Sequence, residues 1–522
     1  MADATLWTGG RVFTGRRYAE SILVENGRVV FAGGSREAHR LAPTGTEHRS
    51  LGGRLLIPGL VDAHLHVSDL TRVREGFALS STRSFADLRE RLTAWAVDHP
   101  LGPIVGRGWD PERWSDRRWP SAREIDPVVS DRPVILHHAS GHAALLNSAA
   151  LEAVEALEHG ALGASKTVGR FPDGTPNGLL FEEAVRLAES AVSGRAGPGD
   201  EALERTLHAL TSYGLTSVAA MSASLEEVRS LRTLDTSDRL PLTVRAFVRL
   251  DELSGLSRAD LGAGGARFAV VGVKAYLDGA FGTRTASLRE PYSDDASTSG
   301  IRVGSDRQLA ERLDEADERG LVPALHAIGD DAVARATNLL RSRRSRPNGS
   351  GRIEHAALTP PGVLGPLLEV RPTLVVQPGF VWSDSWLSNR LGPARRRWAY
   401  VFRTLVERGL PVAGSSDAPY DPVDPWRGIA AATARRDARG GSANPDPREA
   451  LSPEEALGLY TAHAAASVGL APCGRLEPDA PADMVVLTTS DLYRAVRSTT
   501  TPVRETWVGG HRVFGDAGSP GQ

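Results

Sequence analysis

Two histidines set two residues apart, His64 and His66, close the run Leu55-Leu56-Ile57-Pro58-Gly59-Leu60-Val61-Asp62-Ala63-His64-Leu65-His66. The run reads as one buried apolar strand. Strand side chains alternate faces, so imidazoles at i and i+2 point the same way and can grip one metal ion. Four more groups of metal-site type stand at or near predicted strand ends far along the chain: Lys274 in segment 272–279, His326 in 324–330, His355 in 352–356, and Asp417 after Gly414-Ser415-Ser416. Zinc takes imidazole nitrogen and carboxylate oxygen, and a catalytic site keeps one position for water. The lysine is the odd member. An ammonium is a poor ligand, but a buried lysine loses its proton readily. The neutral amine can add carbon dioxide to give an anionic carbamate able to bridge two metals.

These residues need a scaffold that brings distant strand ends together. The chain has 522 residues, 41% hydrophobic and 24% charged, which suits a large globular α/β protein. With 61 basic against 64 acidic residues the net charge is −3, so nothing calls for nucleic acid or an anionic membrane as partner. There is no apolar run of 18 residues, and the opening residues lack the basic and apolar regions of a signal peptide. The single cysteine, Cys473 between Pro472 and Gly474, excludes an intramolecular disulfide. It reads as an incidental thiol, and the expected location is cytoplasmic.

After the first strand, seven more strand candidates follow: 215–221, 242–250, 270–277, 321–328, 352–356, 373–377 and 411–415. Helical segments such as 306–319 and 331–343 separate most of them. Eight strands alternating with helices predict a (β/α)8 TIM-like barrel over residues 58–474, with its site where the strands end. Residues 1–57 and 475–522 carry short apolar runs and an Asn26-Gly27 hairpin signal. Neither end has enough strands to fold alone, so the two are expected to join in one small β-sandwich domain. The stretch of about 73–194 is too long for a loop. Its helical pieces, 85–97, 143–157 and 179–191, and its tryptophans Trp109, Trp114 and Trp119 predict an inserted α-rich subdomain roofing the barrel mouth. Segment 434–447, rich in Arg, Gly, Ala and Pro, reads as an exposed loop.

The motifs then span nearly the whole chain. They are Pro58-Gly59-Leu60-Val61-Asp62-Ala63-His64-Leu65-His66, the Lys274 strand with Asp278-Gly279-Ala280-Phe281-Gly282-Thr283-Arg284-Thr285-Ala286, His326-Ala327-Ile328-Gly329-Asp330, Arg352-Ile353-Glu354-His355-Ala356, Ser416-Asp417-Ala418-Pro419, and the tail Ala482–Leu487 with Thr506-Trp507-Val508-Gly509-Gly510. In this order they resemble the amidohydrolase superfamily, and within it the YtcJ-like branch (amidohydrolase family 3), which includes N-substituted formamide deformylases. The insertion agrees through Ser140-Gly141-His142, Asn147-Ser148-Ala149-Ala150-Leu151 and Asn177-Gly178-Leu179-Leu180-Phe181-Glu182.

The resemblance implies a divalent metal, zinc by its ligand types, as one or two ions. His64 and His66 would hold the more buried ion with Asp417. Lys274, as an N6-carboxylysine, would bridge to a second ion held by His326 and His355. Metal-activated water would attack, Asp417 would act as general base and then acid, and His142 from the insertion would help polarise the carbonyl. Two places depart from the family pattern. His138 and Ser140 stand where relatives often carry arginine and aspartate, and Asp479-Ala480-Pro481 replaces a usual Gly-Lys. Candidate substrate contacts are Trp109, Arg284, Tyr292, Trp382 and Arg390, with core packing the competing reading for the tryptophans and acid pairing for the arginines.

The expected activity is metal-dependent hydrolysis of a C–N bond in an amide, formamide or cyclic amide. A metal-dependent lyase, decarboxylase or isomerase on the same barrel is the alternative. A retired barrel acting only as a binding protein fits poorly, because all six ligand positions are kept. The expected partner is a small-molecule substrate, without nucleic acid or membrane, and homodimer formation is left open.

Overall fold

The computed structural model describes residues 4–158, 167–193, 198–261, 265–343 and 351–515. At its centre are eight parallel strands paired in chain order: Leu60–Leu65, Leu215–Ala223, Thr243–Arg249, Phe268–Tyr276, Val322–Ala327, Arg352–His355, Thr373–Val376 and Val412–Gly414. They are called the first to eighth barrel strands below. The first and eighth edges meet through the segment after the eighth strand. Asp417 N donates to His64 O at 2.9 Å, His66 N to Ala418 O at 2.8 Å, and Ser416 N to the Asp62 carboxylate at 3.1 Å. The barrel is therefore closed at the end that carries the candidate site.

Val61, Ala63, Ala219, Met221, Phe247, Ala324, Val375 and Ala413 form one buried cluster drawn from six different strands, which is possible only inside the barrel. Four of these eight are alanine. The small side chains leave room for Phe247 and for the Arg352 guanidinium, 4.4 Å over its ring. A second, larger apolar layer packs the outer strand faces against the surrounding helices.

The apolar run before His64 is two strands rather than one. Leu55–Pro58 pairs antiparallel with Met484–Leu487 and parallel with Arg11–Phe13, whereas Leu60–Leu65 enters the barrel. Gly59 is the break between them. A β-carbon there would lie 2.3 Å from Thr216 Oγ1, so only glycine lets the chain pass the second strand this closely.

Both termini build the small β unit. Its six-stranded sheet runs His511–Phe514, Val503–Val508, Met484–Leu487, Leu55–Pro58, Arg11–Phe13 and Tyr18–Ala19. Its four-stranded sheet runs Arg28–Gly33, Ser21–Glu25, Ala4–Thr8 and Glu47–Ser50. Trp7 and Trp507, one from each end of the chain, meet edge to face at 5.0 Å in the shared core. The Asn26-Gly27 turn has φ of 48° and 73°, the left-handed pair that a tight hairpin requires.

The insertion holds helices Phe85–Asp98, Ser148–Glu158 and Glu183–Ser193, and also a six-stranded mixed sheet absent from the α-rich expectation. The segments read as helices over 143–157 and 179–191 each begin as strands, Ala143–Leu146 and Pro176–Phe181, which pair antiparallel. Short apolar runs carry no period that separates a buried strand from the start of a buried helix.

Segment 434–447 is irregular but not simply exposed. Arg435 is 1% exposed and donates to Tyr400 O, and buried Asn444 donates to Ala399 O. Among the described residues, no helix is long and apolar enough to cross a membrane.

Candidate metal centre

The six ligand-type residues come from five strand ends. His64 lies in the first strand and His66 just beyond it. Lys274 lies in the fourth, His326 in the fifth, and His355 closes the sixth. Asp417 follows the eighth. All six are buried. His355 and Asp417 have φ of 72° and 60°, left-handed values that a residue with a β-carbon adopts at a cost. That backbone turn redirects both side chains at the barrel mouth.

Asp417 is the hub. Its Oδ1 lies 3.1 Å from His64 Nε2 and 3.4 Å from His66 Nε2, and its Oδ2 lies 3.9 Å from His355 Nδ1. Donor atoms of His64, His355 and Asp417 all fall within 4.8 Å of one another. This grouping puts His355 with His64 and Asp417, not only with His326 as the two-ion reading has it. His326 remains a neighbour, its ring centroid 4.4 Å from that of His355, while its Nε2 lies 3.1 Å from Gly279 O. Lys274 Nζ lies 3.5 Å from His64 Nε2.

Two residues hold the imidazoles in place that the sequence reading did not single out. His64 Nδ1 lies 2.6 Å from Glu354 Oε2, and His355 Nδ1 lies 2.7 Å from Gln377 Oε1. Glu354 stands inside the quoted Arg352–Ala356 motif, next to His355. A carboxylate inside a strand end beside a ligand-type histidine was the available signal. Gln377 carried none, because its role depends on the register of the seventh strand.

The electrostatics favour a cation. Burial pulls His66 and His326 below the ordinary histidine value, and takes His355 to about 3. These imidazoles are neutral at pH 7, which is the metal-binding form. Burial pushes the Asp417 carboxyl up, but the imidazoles of His64, His66 and His355 around it outweigh that and hold it well below the usual range. Burial also lowers the Lys274 ammonium to about 8. Among the described residues, buried Asp417 Oδ1 has no hydrogen-bond partner. A neutral His64 with its proton on the nitrogen facing Glu354 turns a lone pair toward that same oxygen. Two lone pairs 3.1 Å apart repel unless a cation joins them. The donor set fits a divalent metal.

The insertion reaches this centre through His142. Its ring lies 5.0 Å from that of His326 and 6.2 Å from that of Tyr276. Glu182 Oε2 lies 2.8 Å from His142 Nδ1. Burial pulls His142 down, but the Glu182 charge and hydrogen bond outweigh it, so its value stands above the ordinary one. Gly141 packs on the Tyr420 ring, and Tyr420 in turn lies edge-on to His66 at 5.0 Å.

The expected substrate contacts fare unevenly. Trp109 is 0% exposed and donates Nε1 to Leu136 O inside the insertion core, so it is packing rather than a ligand contact. Tyr292 is buried too, its hydroxyl bonded to Ala286 O at 2.8 Å. Arg284 pairs with Asp294, and Arg390 joins Asp294 to Glu112 of the insertion, a tie between barrel loops and roof. Trp382 is partly exposed, and its buried Nε1 has no hydrogen-bond partner among the described residues. The two departures in the insertion touch each other: Ser140 N donates to His138 Nδ1 at 3.0 Å, and the His138 ring stacks on Trp119. Cys473 is half-buried, and burial pushes its thiol up to about 11, which makes it unreactive.

This chain has counterparts among known proteins. A family model described as the amidohydrolase family matches residues 48–514. The chain is 30% identical over 481 residues to the putative amidohydrolase YtcJ of Bacillus subtilis (strain 168), covering 87% of this chain and 88% of that one. It is 25% identical over 496 residues to the N-substituted formamide deformylase of Arthrobacter pascens, covering 90% of each. Among solved structures, an uncharacterised metal-dependent hydrolase from Pyrococcus horikoshii OT3 aligns with a TM-score of 0.77 and 30% identity over 94% of this chain and 98% of that one. A match over nearly the whole length, on a barrel whose strand ends gather a metal-type donor set, has one reading: the chain belongs to the amidohydrolase family and is a metal-dependent hydrolase.

Proposed function

We propose that the enzyme hydrolyses a C–N bond in an amide, formamide or cyclic amide. The observation that carries this is the convergence of His64 Nε2 and the unpartnered Asp417 Oδ1, with His355 alongside, at the closed mouth of the barrel. The activity of the relative named as an N-substituted formamide deformylase agrees with it.

His64, His66, His355 and Asp417 would hold the ion, zinc by their donor types, with Lys274 and His326 completing its surroundings. Bound there, it supplies a Lewis acid that acidifies water and polarises a carbonyl. Asp417 takes the proton of the attacking water and passes it to the amide nitrogen as the C–N bond breaks, giving a carboxylic acid and an amine. His142 donates toward the developing oxyanion, held in place by Glu182 on its other nitrogen. Lys274 is neutral in a good fraction of molecules at pH 8, which makes its carboxylation by carbon dioxide accessible.

Metal analysis and hydrolysis of a panel of N-substituted formamides, acyl amides and cyclic amides test the reading. Zinc-dependent turnover that places ¹⁸O from labelled water in the acid product supports it. A protein that binds no divalent metal, or whose His64→Ala change leaves activity intact, overturns it.

A further inference from the structure

Three of the imidazoles at the barrel mouth, those of His64, His326 and His355, are not held alike. His64 Nδ1 faces a carboxylate, Glu354, at 2.6 Å. His355 Nδ1 faces a neutral amide oxygen, that of Gln377, whose amide nitrogen donates to Ser415 Oγ at 3.0 Å. His326 uses its Nε2 on a backbone carbonyl, Gly279 O. Of these three, only His64 therefore has a carboxylate facing its outer ring nitrogen.

That charge is fixed by a clamp. Arg352 Nε donates to Glu354 Oε1 at 2.8 Å and Arg352 Nη2 to Oε2 at 2.9 Å, so both carboxylate oxygens are engaged. Arg352 also donates to Ala63 O at 2.8 Å, the carbonyl immediately before His64, and stands over the Phe247 ring. The Glu354 and His64 side chains are both fully buried. An arginine keeps its proton, so the bidentate pair holds Glu354 as an acceptor only. In the neutral ring that binds a metal, the His64 proton must then sit on Nδ1, and Nε2 carries the lone pair.

The geometry points to Glu354, clamped by Arg352, as the positioning residue that makes His64 a stronger metal donor than His326 or His355. It fixes the tautomer, orients the ring, and raises the basicity of Nε2 through the charged hydrogen bond. Gln377 does the first two for His355 without the third. Carboxylate–histidine–metal arrangements of this kind typically change metal affinity by about 10–100-fold when the outer partner is altered. The inference rests on the metal-hydrolase reading, and its test separates the two.

Zinc affinity of the full chain is measured by competition with a chelator of known affinity, for wild type and for Glu354→Gln and Gln377→Leu. The expected result is a loss of about 10–100-fold for E354Q and a smaller loss for Q377L. Wild-type zinc binding with E354Q within about twofold overturns this inference and leaves the metal-hydrolase reading standing. No zinc binding by wild type overturns both. E354Q removes the charge partner of a buried arginine and can fail to fold, so a second measurement uses wild type alone. Long-range ¹H–¹⁵N spectra of ¹⁵N-histidine-labelled, zinc-loaded protein, with His64 assigned from His64→Asn, are expected to show it protonated on Nδ1 only. A proton on Nε2 overturns the inference.

Discussion

Gly141→Ala probes whether the insertion works as part of the active site. Gly141 has φ of +73°, and a β-carbon built on it would lie 2.4 Å from Tyr420 Cε1 and 2.6 Å from Cζ. The left-handed backbone costs a residue with a β-carbon about 1–2 kcal/mol. Forcing a methyl group into a packed ring costs about 1–3 kcal/mol. Together these make about 2–5 kcal/mol if the loop keeps its place. One escape pushes Tyr420, whose hydroxyl donates to the Asp69 carboxylate at 2.9 Å and whose ring packs on His66. A hydrogen bond to a charged group is worth about 1.5–3 kcal/mol, so that escape is expensive. The other lifts the 140–142 loop from the barrel, carrying His142 away from His326 and the site. At about 1.36 kcal/mol per factor of ten, the lower bound of 2 kcal/mol amounts to about a 30-fold loss in kcat/KM. Zinc affinity is expected to stay within about threefold, because His64, His355 and Asp417 keep their places. Both are measured on the same zinc-loaded preparation, with the amide that the panel identifies as substrate. Activity within twofold of wild type would refute the reasoning, since the insertion would then be a bystander. Equal loss of zinc binding and activity would also refute it, because the loop would be acting through His66.

Three further outcomes are expected. Asp417→Asn keeps the shape but cannot take a proton, so kcat on the identified amide is expected to fall by at least about 100-fold. Trp109→Phe removes a fully buried indole N–H and its bond to Leu136 O. A loss of about 0.5–1.5 kcal/mol in chemical denaturation is expected, with KM unchanged; a raised KM would return Trp109 to the substrate. The Lys274 ammonium titrates at about 8 folded against 10.5 unfolded, so between those values the unfolded chain binds the extra proton. Stability of the metal-free protein is therefore expected to rise with pH across that window and ¹³C-bicarbonate labelling of Lys274 to grow through pH 8; Lys274→Met should abolish both.

The barrel was legible because its strands are spaced by helices and end in chemistry-bearing residues. Each of the later seven observed strands lies within two residues of its expected bounds, for instance Arg352–His355 against 352–356. The ligand-type residues were legible for the same reason: a polar group at the end of an apolar strand stands out. What stayed hidden depends on contacts between distant segments. The break at Gly59 follows from its approach to Thr216, which no local pattern announces. The insertion sheet pairs short apolar runs that could equally begin a helix. Trp109 and Tyr292 have the composition of substrate contacts, yet their polar ends are taken by Leu136 O and Ala286 O. Gln377 reaches His355 only because the sixth and seventh strands run side by side in this register. Arg435 looked like loop charge and is instead buried against Tyr400 O, because propensity reports on the backbone and not on what it packs beneath.

The central claim is tested most directly by X-ray absorption at the zinc edge of the loaded protein, compared with His64→Asn and His355→Asn. The account expects a nitrogen and oxygen shell at about 2.0–2.2 Å with imidazole scattering in wild type, reduced in each variant. A spectrum without imidazole scattering, or one unchanged by both substitutions, would place the metal elsewhere and contradict it.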